Sequence, residues 1–233
     1  MNELYTAVGR FEKRSGGLGK EYPVVMLGKQ EQVLDIHEMM IWAALNWRLL
    51  NRAQIEALYG QRLEETGVPA ERDCIVYIER LLYRGLIVKG GGETDADALY
   101  DLFAGLYLVP LSCGFFTKVG ALLKMVLWEG VPLRTAAGNI FRGAARTDDE
   151  KRVLSLVKQT MITTAELMKC VEEGAADISD DDKLTDALFT DDYTTSDNLI
   201  FTAKTFDCMI SVLTAVANLY MRKQILLTKD TSV

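Results

Sequence analysis

The stretch Tyr77-Ile-Glu-Arg-Leu-Leu-Tyr-Arg-Gly-Leu-Ile-Val-Lys-Gly-Gly-Gly92 decides the fold. Its first half continues the apolar stripe of a helix, because Ile78, Leu81 and Leu82 recur at helical spacing. Gly85 is suited to end that helix, since glycine readily adopts the left-handed conformation of a helix C-terminus. The next three residues form an extended run into three glycines. The stretch therefore predicts a helix, a tight turn, a strand and a glycine-rich tip in which we expect positive φ angles.

Two further helices are predicted upstream. The first begins after Asp35 and runs to about Leu50. Asn51 caps the second helix, which Gly67 ends. The third helix, residues 69–84, starts at a proline. Before these helices we expect a short hairpin over residues 22–34 and a mobile or irregular arm over residues 1–20.

This arrangement resembles the winged helix-turn-helix superfamily. Residues 52–84 correspond to the helix-turn-helix, and the quoted stretch is similar to the recognition helix and wing strand of that superfamily. The resemblance covers residues 35–95. It implies that helix 69–84 lies in the major groove of DNA and that the wing, residues 86–95, touches the DNA backbone.

The second half of the chain repeats the first half in outline. The segment Leu49-Leu-Asn-Arg-Ala-Gln-Ile55 parallels Met161-Ile-Thr-Thr-Ala-Glu-Leu167, and both halves end a helix on Leu-Tyr plus arginine before an apolar strand. Coincidence is the alternative, because helical apolar patterns resemble one another.

We therefore predict a mainly α fold with short β-hairpins, of the α+β class, built from tandem winged helix-turn-helix units. The predicted domains are a winged-helix-like domain with an N-terminal arm and hairpin (1–113), a basic helical connector (114–147) and a helical domain, the second winged-helix-like unit (148–233).

The resemblance implies double-stranded DNA as a partner, with contacts from Arg72, Arg80, Arg84 and Lys89. Cationic groups pair with phosphates, and arginine can donate two hydrogen bonds to a guanine edge. The same helix carries Glu71, Asp73 and Glu79, which repel phosphates. Salt-bridged surface charges on a structural helix are an equally weighted interpretation.

A second basic cluster comprises Arg134, Arg142 and Arg146. These side chains would clamp a DNA backbone or neutralise the acidic segment of the same chain, and an intramolecular or subunit contact is slightly favoured over DNA. The acidic segment is residues 148–199, which carry a net charge of −9 in a chain whose total is −7. The rest of the chain is therefore not acidic, and a locally basic face remains compatible with the overall charge.

The sequence indicates neither an enzyme nor a metal or cofactor protein. Its one histidine, His37, has no nucleophile paired with it, and we expect a surface or capping residue. The aspartates between Asp177 and Asp197 lack the glycine and glutamate of a calcium loop. Ser179, followed by three aspartates, instead predicts a helix N-terminus. The four cysteines form no CxxC pair, which favours a reducing environment.

We expect a cytoplasmic protein without a membrane span. The N-terminus has no apolar leader, and the most apolar stretch, residues 102–116, is shorter than the roughly 20 residues that cross a bilayer. The apolar helix 203–223 is hydrophobic on several sides, which favours a homodimer through that helix. The leading prediction is a DNA-binding transcriptional regulator. The alternative is a tandem winged-helix scaffold that binds proteins and no nucleic acid.

Overall fold

A computed structural model describes residues 1–15, 21–111, 146–191 and 193–229. The described part of the first half contains nine elements before the strand that opens the second half. They are β1 (Asn2–Ala7), β2 (Arg10–Ser15), β3 (Glu21–Leu27), β4 (Gln30–Val33), α1 (Ile36–Leu45), α2 (Arg52–Thr66), α3 (Cys74–Tyr83), β5 (Ile87–Gly92) and α4 (Asp95–Phe103).

The described part of the second half is organised around a three-stranded sheet. Its elements are β6 (Tyr107–Pro110), α5 (Asp148–Val157), β7 (Ile162–Thr163), α6 (Thr164–Glu172), α7 (Asp181–Leu188), α8 (Leu199–Thr202), a 3-10 turn (Ala203–Thr205), α9 (Met209–Met221) and β8 (Ile225–Thr228). The fold is α+β with small antiparallel sheets.

Capping boxes set the helix starts in both halves. Asp35 begins α1 and Thr147 begins α5, and in each case the side chain of the glutamate three residues later bonds back to the cap. Asn51 and Thr163 begin α2 and α6 by the same reciprocal pair of bonds. These bonds satisfy backbone N–H groups that a helix start leaves open. The two caps of each half are equally far apart, so the repeat predicted from sequence has a local structural basis.

The helix ends and sheets of the two halves also correspond. Arg84 is the C-cap of α3 and Arg222 the C-cap of α9, and each precedes a residue with positive φ, Gly85 or Lys223. The following strands, β5 and β8, pair antiparallel with β1 and β6. A short segment after the first helix of each half pairs with the other edge of the same strand: Leu50 with β1, and β7 with β6. The second half differs by the insertion that contains α7 and α8.

Several sequence-based boundaries were wrong. The predicted N-terminal arm is strands β1 and β2. The helix predicted over residues 69–84 begins at Cys74, because the backbone of Asp73 is still extended. The first helix ends at Leu45, not near Leu50. Strand β6, assigned from sequence to the domain 1–113, pairs with β7 and β8.

The predicted wing over residues 86–95 is also corrected. Strand β5 does not turn back at its glycines; it pairs with β1 over its whole length, from Ala7 opposite Ile87 to Asn2 opposite Gly92. None of the three glycines has a positive φ. A side chain at Gly90 would collide with the backbone of α4. These glycines therefore allow α4 to lie close against the strand, and they are not a hairpin tip.

The predicted long helix 203–223 is interrupted. Helix α9 covers Met209–Met221, and the preceding segment Leu199–Thr205 meets it at a bend of 106°. In the described ranges no single helix is long and apolar enough to span a membrane. Taken together, the two segments of this bent pair have the length and apolar composition of a span, and no other pair in the described ranges does. Most apolar residues of α9 lie in the monomer core, among them Val212, Val216 and Leu219, whereas Ile210 and Met221 are exposed. Homodimerisation stays a prediction, which light scattering against the chain mass of 26.0 kDa would test.

Two hydrophobic cores hold the molecule together. The first packs α1, α2 and α3 on the inner face of β1 and β5. The second packs α4, α5, α6 and α9 and extends to Val8, just after β1. The backbone N–H of Gly9 donates to the carbonyl of Leu227 in β8, at 3.2 Å. The end of the first half's central strand therefore rests against the second half's sheet.

Candidate functional site

The four predicted DNA contacts lie on or beside α3 and β5, and three of them are ion-paired within the chain. Arg80 is 3.2 Å from both Asp35 and Glu38. Arg84 is 2.7 Å from Glu38. Lys89 is 3.2 Å from Glu3, and the hydrogen bond from this ammonium group lowers the pKa of the Glu3 carboxyl. Three of the cationic side chains that were predicted to bind DNA phosphates are thus already paired with carboxylates of the same chain.

Glu38 is the centre of this cluster. Its side chain is 1% exposed, and it belongs to the capping box of α1. Arg84 not only pairs with Glu38 but also donates to the Val33 carbonyl at 2.7 Å and to Gln32 at 3.1 Å. The guanidinium therefore joins the end of α3 to β4 and to the start of α1.

The second half contains the same arrangement. Glu150, also 1% exposed, closes the capping box of α5 and lies 2.9 Å from Arg222. Asn218 of α9 donates to its other oxygen at 3.0 Å. A buried glutamate in the first turn of one helix thus pairs with the C-cap arginine of another helix in both halves. Because the pair recurs, Arg84 has a structural role that does not depend on any ligand.

The remaining surface of α3 and its lead-in has mixed charge. Arg72 is exposed and makes no ion pair within the described ranges. Glu71, Asp73 and Glu79 are exposed beside it, and Tyr83 is 94% exposed. Arg146 of the second basic cluster donates to Gln224 at 2.8 Å, and Arg134 and Arg142 lie outside the described residues.

His37 is not the surface residue that the sequence suggested. It is 2% exposed, its Nδ1 is 2.8 Å from the Tyr59 hydroxyl, and its ring stacks on Tyr77 at 4.9 Å. Its position on the inner face of α1 explains the difference, since that face packs against α2 and α3. The histidine is part of the first core.

The acidic segment forms ion pairs and caps within the chain. Asp180, one residue after the predicted cap Ser179, caps α7. Lys183 is 2.7 Å from Asp177, and hydrogen bonds from Lys183 and Ser179 lower the pKa of that aspartate to about 2. In the described part of the chain no group of three or more histidines, cysteines or acids is placed to hold a metal ion.

The described thiols are poorly suited to nucleophilic chemistry. Burial raises the pKa of Cys74 to about 11 and that of Cys170 to about 12. Burial and the neighbouring Glu172 raise the pKa of Cys208 to about 12. A thiolate is the reactive form, so these residues stay protonated near neutral pH.

A groove that sequence reasoning missed lies along α1. It has a volume of 790 Å³ and is bounded by the β2–β3 hairpin, α1, α2 and the end of α9. Its lining is apolar and aromatic with three cations: Phe11, Pro23, Met39, Trp42, Ala43, Ala44, Asn46, Trp47, Arg48, Leu58, Arg62, Met221 and Lys223. Met39, Trp42 and Trp47 recur at helical spacing along the sequence and by that pattern read as one apolar helix face. Only the fold brings them next to the end of α9.

No family model, curated protein or solved structure gives a match to this chain. Function is therefore inferred from the described residues and their geometry.

Proposed function

We propose that the protein is a non-enzymatic scaffold of two winged-helix-like units that binds protein partners. The observation that carries this proposal is the glutamate–arginine pair repeated in the two halves. It gives the arginine at the end of α3 the same structural task as its counterpart at the end of α9, so an ion pair within the chain accounts for the arginine in both halves. The competing proposal is the DNA-binding regulator predicted from the superfamily resemblance.

The charges of α3 favour the scaffold. DNA binding requires cations that are free to replace counterions along the phosphate backbone. Arg84 could reach a phosphate only by leaving Glu38, whose buried carboxylate would then keep only its longer contact with Arg80 at 3.2 Å, and weakening a buried ion pair is costly. Arg80 and Lys89 also face acids, and Glu79 lies next to Arg80. A surface of this composition is nearly neutral and repels phosphate at several points.

The repeated architecture supports the same conclusion. Two similar units, each with its own core and in contact through Val8 and Gly9, present several separate faces, which suits a protein that holds partners. The acidic net charge of −7 lowers the affinity for nucleic acid at long range. Cytoplasmic localisation, the lack of an enzymatic activity and the lack of a cofactor remain predictions.

Titration of the full chain into fluorescently labelled duplex DNA at low and at physiological salt tests the proposal. We expect no saturable binding at either concentration. Arg72→Ala and Arg80→Ala are the informative variants, since neither removes the buried Arg84–Glu38 pair. Lys29→Ala, at the exposed β3–β4 turn, is the matched control for loss of one positive charge. Binding that weakens steeply with salt and drops in the two arginine variants, but not in the control, would establish the DNA-binding regulator instead.

A further inference from the structure

The groove between the β2–β3 hairpin, α1, α2 and the end of α9 has an unusual charge pattern. Arg48, Arg62 and Lys223 line it, and no described acid does. Arg62 pairs with Glu65 outside the groove at 3.0 Å, whereas Arg48 and Lys223 make no ion pair within the described ranges. The chain as a whole has more acidic than basic residues. Cations without an acidic partner, next to the apolar surface of the groove, therefore form a local site that attracts carboxylates.

Backbone strain is concentrated at the same groove. Trp47 has φ 64° and Lys223 has φ 57°, and these are the two non-glycine residues with positive φ in the described ranges. At the position corresponding to Lys223, the first half has Gly85. A non-glycine residue in this conformation costs roughly 1–2 kcal/mol. A strained backbone of this kind persists only where packing and hydrogen bonds around it fix the conformation, and such residues cluster at binding sites.

Tyr220 holds both strained segments in place. The backbone N–H of Trp47 donates to the Tyr220 hydroxyl at 3.0 Å, and the two rings lie 5.2 Å apart. Tyr220 stands three residues before Lys223, whose own N–H donates to the Tyr220 carbonyl at 2.8 Å. The indole of Trp47 and the backbone of Lys223 are thus held in place before any ligand arrives, which reduces the entropy lost on binding.

We propose that this groove binds an acidic peptide segment of a protein partner, with a large apolar side chain on the floor and carboxylates at Arg48 and Lys223. The inference deepens the scaffold function and rests on it. The floor favours a peptide over a nucleotide, because Met39, Met221 and Leu58 offer adaptable aliphatic surface to a side chain. Aromatic residues and arginine are also the residue types most enriched at the interface positions that contribute most of the binding energy.

The probe is a fluorescein-labelled peptide of sequence Glu-Asp-Leu-Phe-Glu-Asp-Leu, followed by anisotropy with the full chain. We expect saturable binding that weakens with salt, and no binding of the same peptide with lysine in place of each acid. Arg48→Glu should weaken binding about tenfold or more, as expected for reversing one charge at contact distance. Lys29→Glu, which makes the same charge change at an exposed turn outside the groove, should bind like the wild type.

Lys223→Gly separates binding from folding. Glycine relieves the left-handed backbone and removes the ammonium group, so the variant should melt no lower than the wild type while it binds the acidic peptide more weakly. Binding that is unchanged in both Arg48→Glu and Lys223→Gly would overturn the proposal. So would saturable binding of sodium laurate that Arg48→Glu and Lys223→Gly both weaken, in a chain that binds no acidic peptide, because the groove would then be a lipid site.

The two proposals can fail separately. Salt-dependent binding of duplex DNA through Arg72 and Arg80 would overturn the scaffold function, whatever the peptide does. Absence of peptide binding together with absence of DNA binding would overturn only the assignment of this groove.

Discussion

At the scale of single residues, the ion pairs Glu38–Arg84 and Glu150–Arg222 lead to the same prediction about stability. Replacing either arginine with methionine keeps much of the apolar stem but removes the closest cation from a buried carboxylate, which leaves Glu38 with Arg80 and Glu150 with Asn218. We expect a loss of about 3 kcal/mol in each variant, at the low end for breaking a buried pair, because both arginines are partly exposed. Urea denaturation of the purified variants measures the loss.

Arg72→Met is the matched control for these variants. Arg72 is exposed and unpaired within the described ranges, so its replacement should change the free energy of unfolding by no more than about 0.5 kcal/mol. A midpoint for Arg84→Met that coincides with that of the control would show that the pair is not structural. The main support for the scaffold over the DNA-binding regulator would then be lost.

Individual site residues could be found from the sequence, but their partners could not. Arg80 and Arg84 stand out in a helix because their charge is visible at once. Glu38 precedes them by about forty positions and looks like one more member of a capping box. A basic residue on an exposed helix face has the same local pattern whether it meets phosphate or an acid of its own chain. Only tertiary packing, which brings the start of α1 to the end of α3, separates the two cases.

At the scale of elements, Gly90 and Gly91 give a matched pair of substitutions. A Cβ at Gly90 would meet the backbone of Ala98 and Leu102 in α4, whereas at Gly91 the nearest atom, the Met1 methyl carbon, is 3.7 Å away. Gly90→Ala should therefore destabilise by about 1–3 kcal/mol, the usual cost of forcing extra atoms into a packed site. Gly91→Ala should be neutral or slightly stabilising. Thermal unfolding of the two variants side by side measures the difference, and equal melting temperatures would contradict this account of the glycines.

The loop after α7 is held by a buried ammonium group. Lys169 is 3% exposed and lies 2.7 Å from both Asp191 and Glu173. Burial alone lowers the pKa of Lys169, but its hydrogen bonds to the two carboxylates outweigh burial and raise it. The hydrogen bond from Lys169 is the main cause that lowers the pKa of Asp191 below its ordinary value of 3.8.

This anchor predicts a loss of stability in acid. A carboxyl whose pKa is lowered by folding stabilises the native state above its ordinary pKa, and the contribution is lost as the pH falls through its lowered value. The melting temperature should therefore fall as the pH drops below 3.8, and Asp191→Asn should reduce that dependence and melt lower at neutral pH. Asp186→Asn, on the exposed face of α7, is the control and should behave as the wild type. An unaltered acid profile in Asp191→Asn would show that the anchor contributes nothing.

Local elements were predictable where their signals are local. The capping residues Asp35 and Asn51, the stop at Gly67 and the turn between β3 and β4 all depend on a few neighbouring residues, and the structure confirms them. The pairing of β5 was not predictable in this way. Three glycines after a strand favour a hairpin tip by local rules, and only the close approach of α4 and the distant strand β1 explain them.

At the scale of the whole molecule, the two halves share one buried hydroxyl group. The Tyr220 hydroxyl of α9 is 2.8 Å from the Thr6 hydroxyl and 3.2 Å from the Ala7 carbonyl, both in β1, and accepts the Trp47 N–H at 3.0 Å. Burial raises the pKa of this phenol, so it remains a neutral donor and acceptor. Strand β1 of one unit and the last helix of the other are therefore joined by these hydrogen bonds beside the groove, in addition to the backbone bond between Gly9 and Leu227.

Tyr220→Phe tests this connection between the halves. The ring is kept, but the Trp47 N–H loses its acceptor, and leaving a buried polar group unpaired costs about 1–3 kcal/mol. We expect a lower urea midpoint, together with a change in tryptophan fluorescence because the strained turn at Trp47 loosens. Tyr193→Phe, which removes the hydroxyl of an 84% exposed ring, should change neither quantity. If the acidic peptide also binds more weakly to Tyr220→Phe than to Tyr193→Phe, the contact between the two halves maintains the groove. An unchanged affinity would show that Trp47 and Lys223 hold their positions without Tyr220.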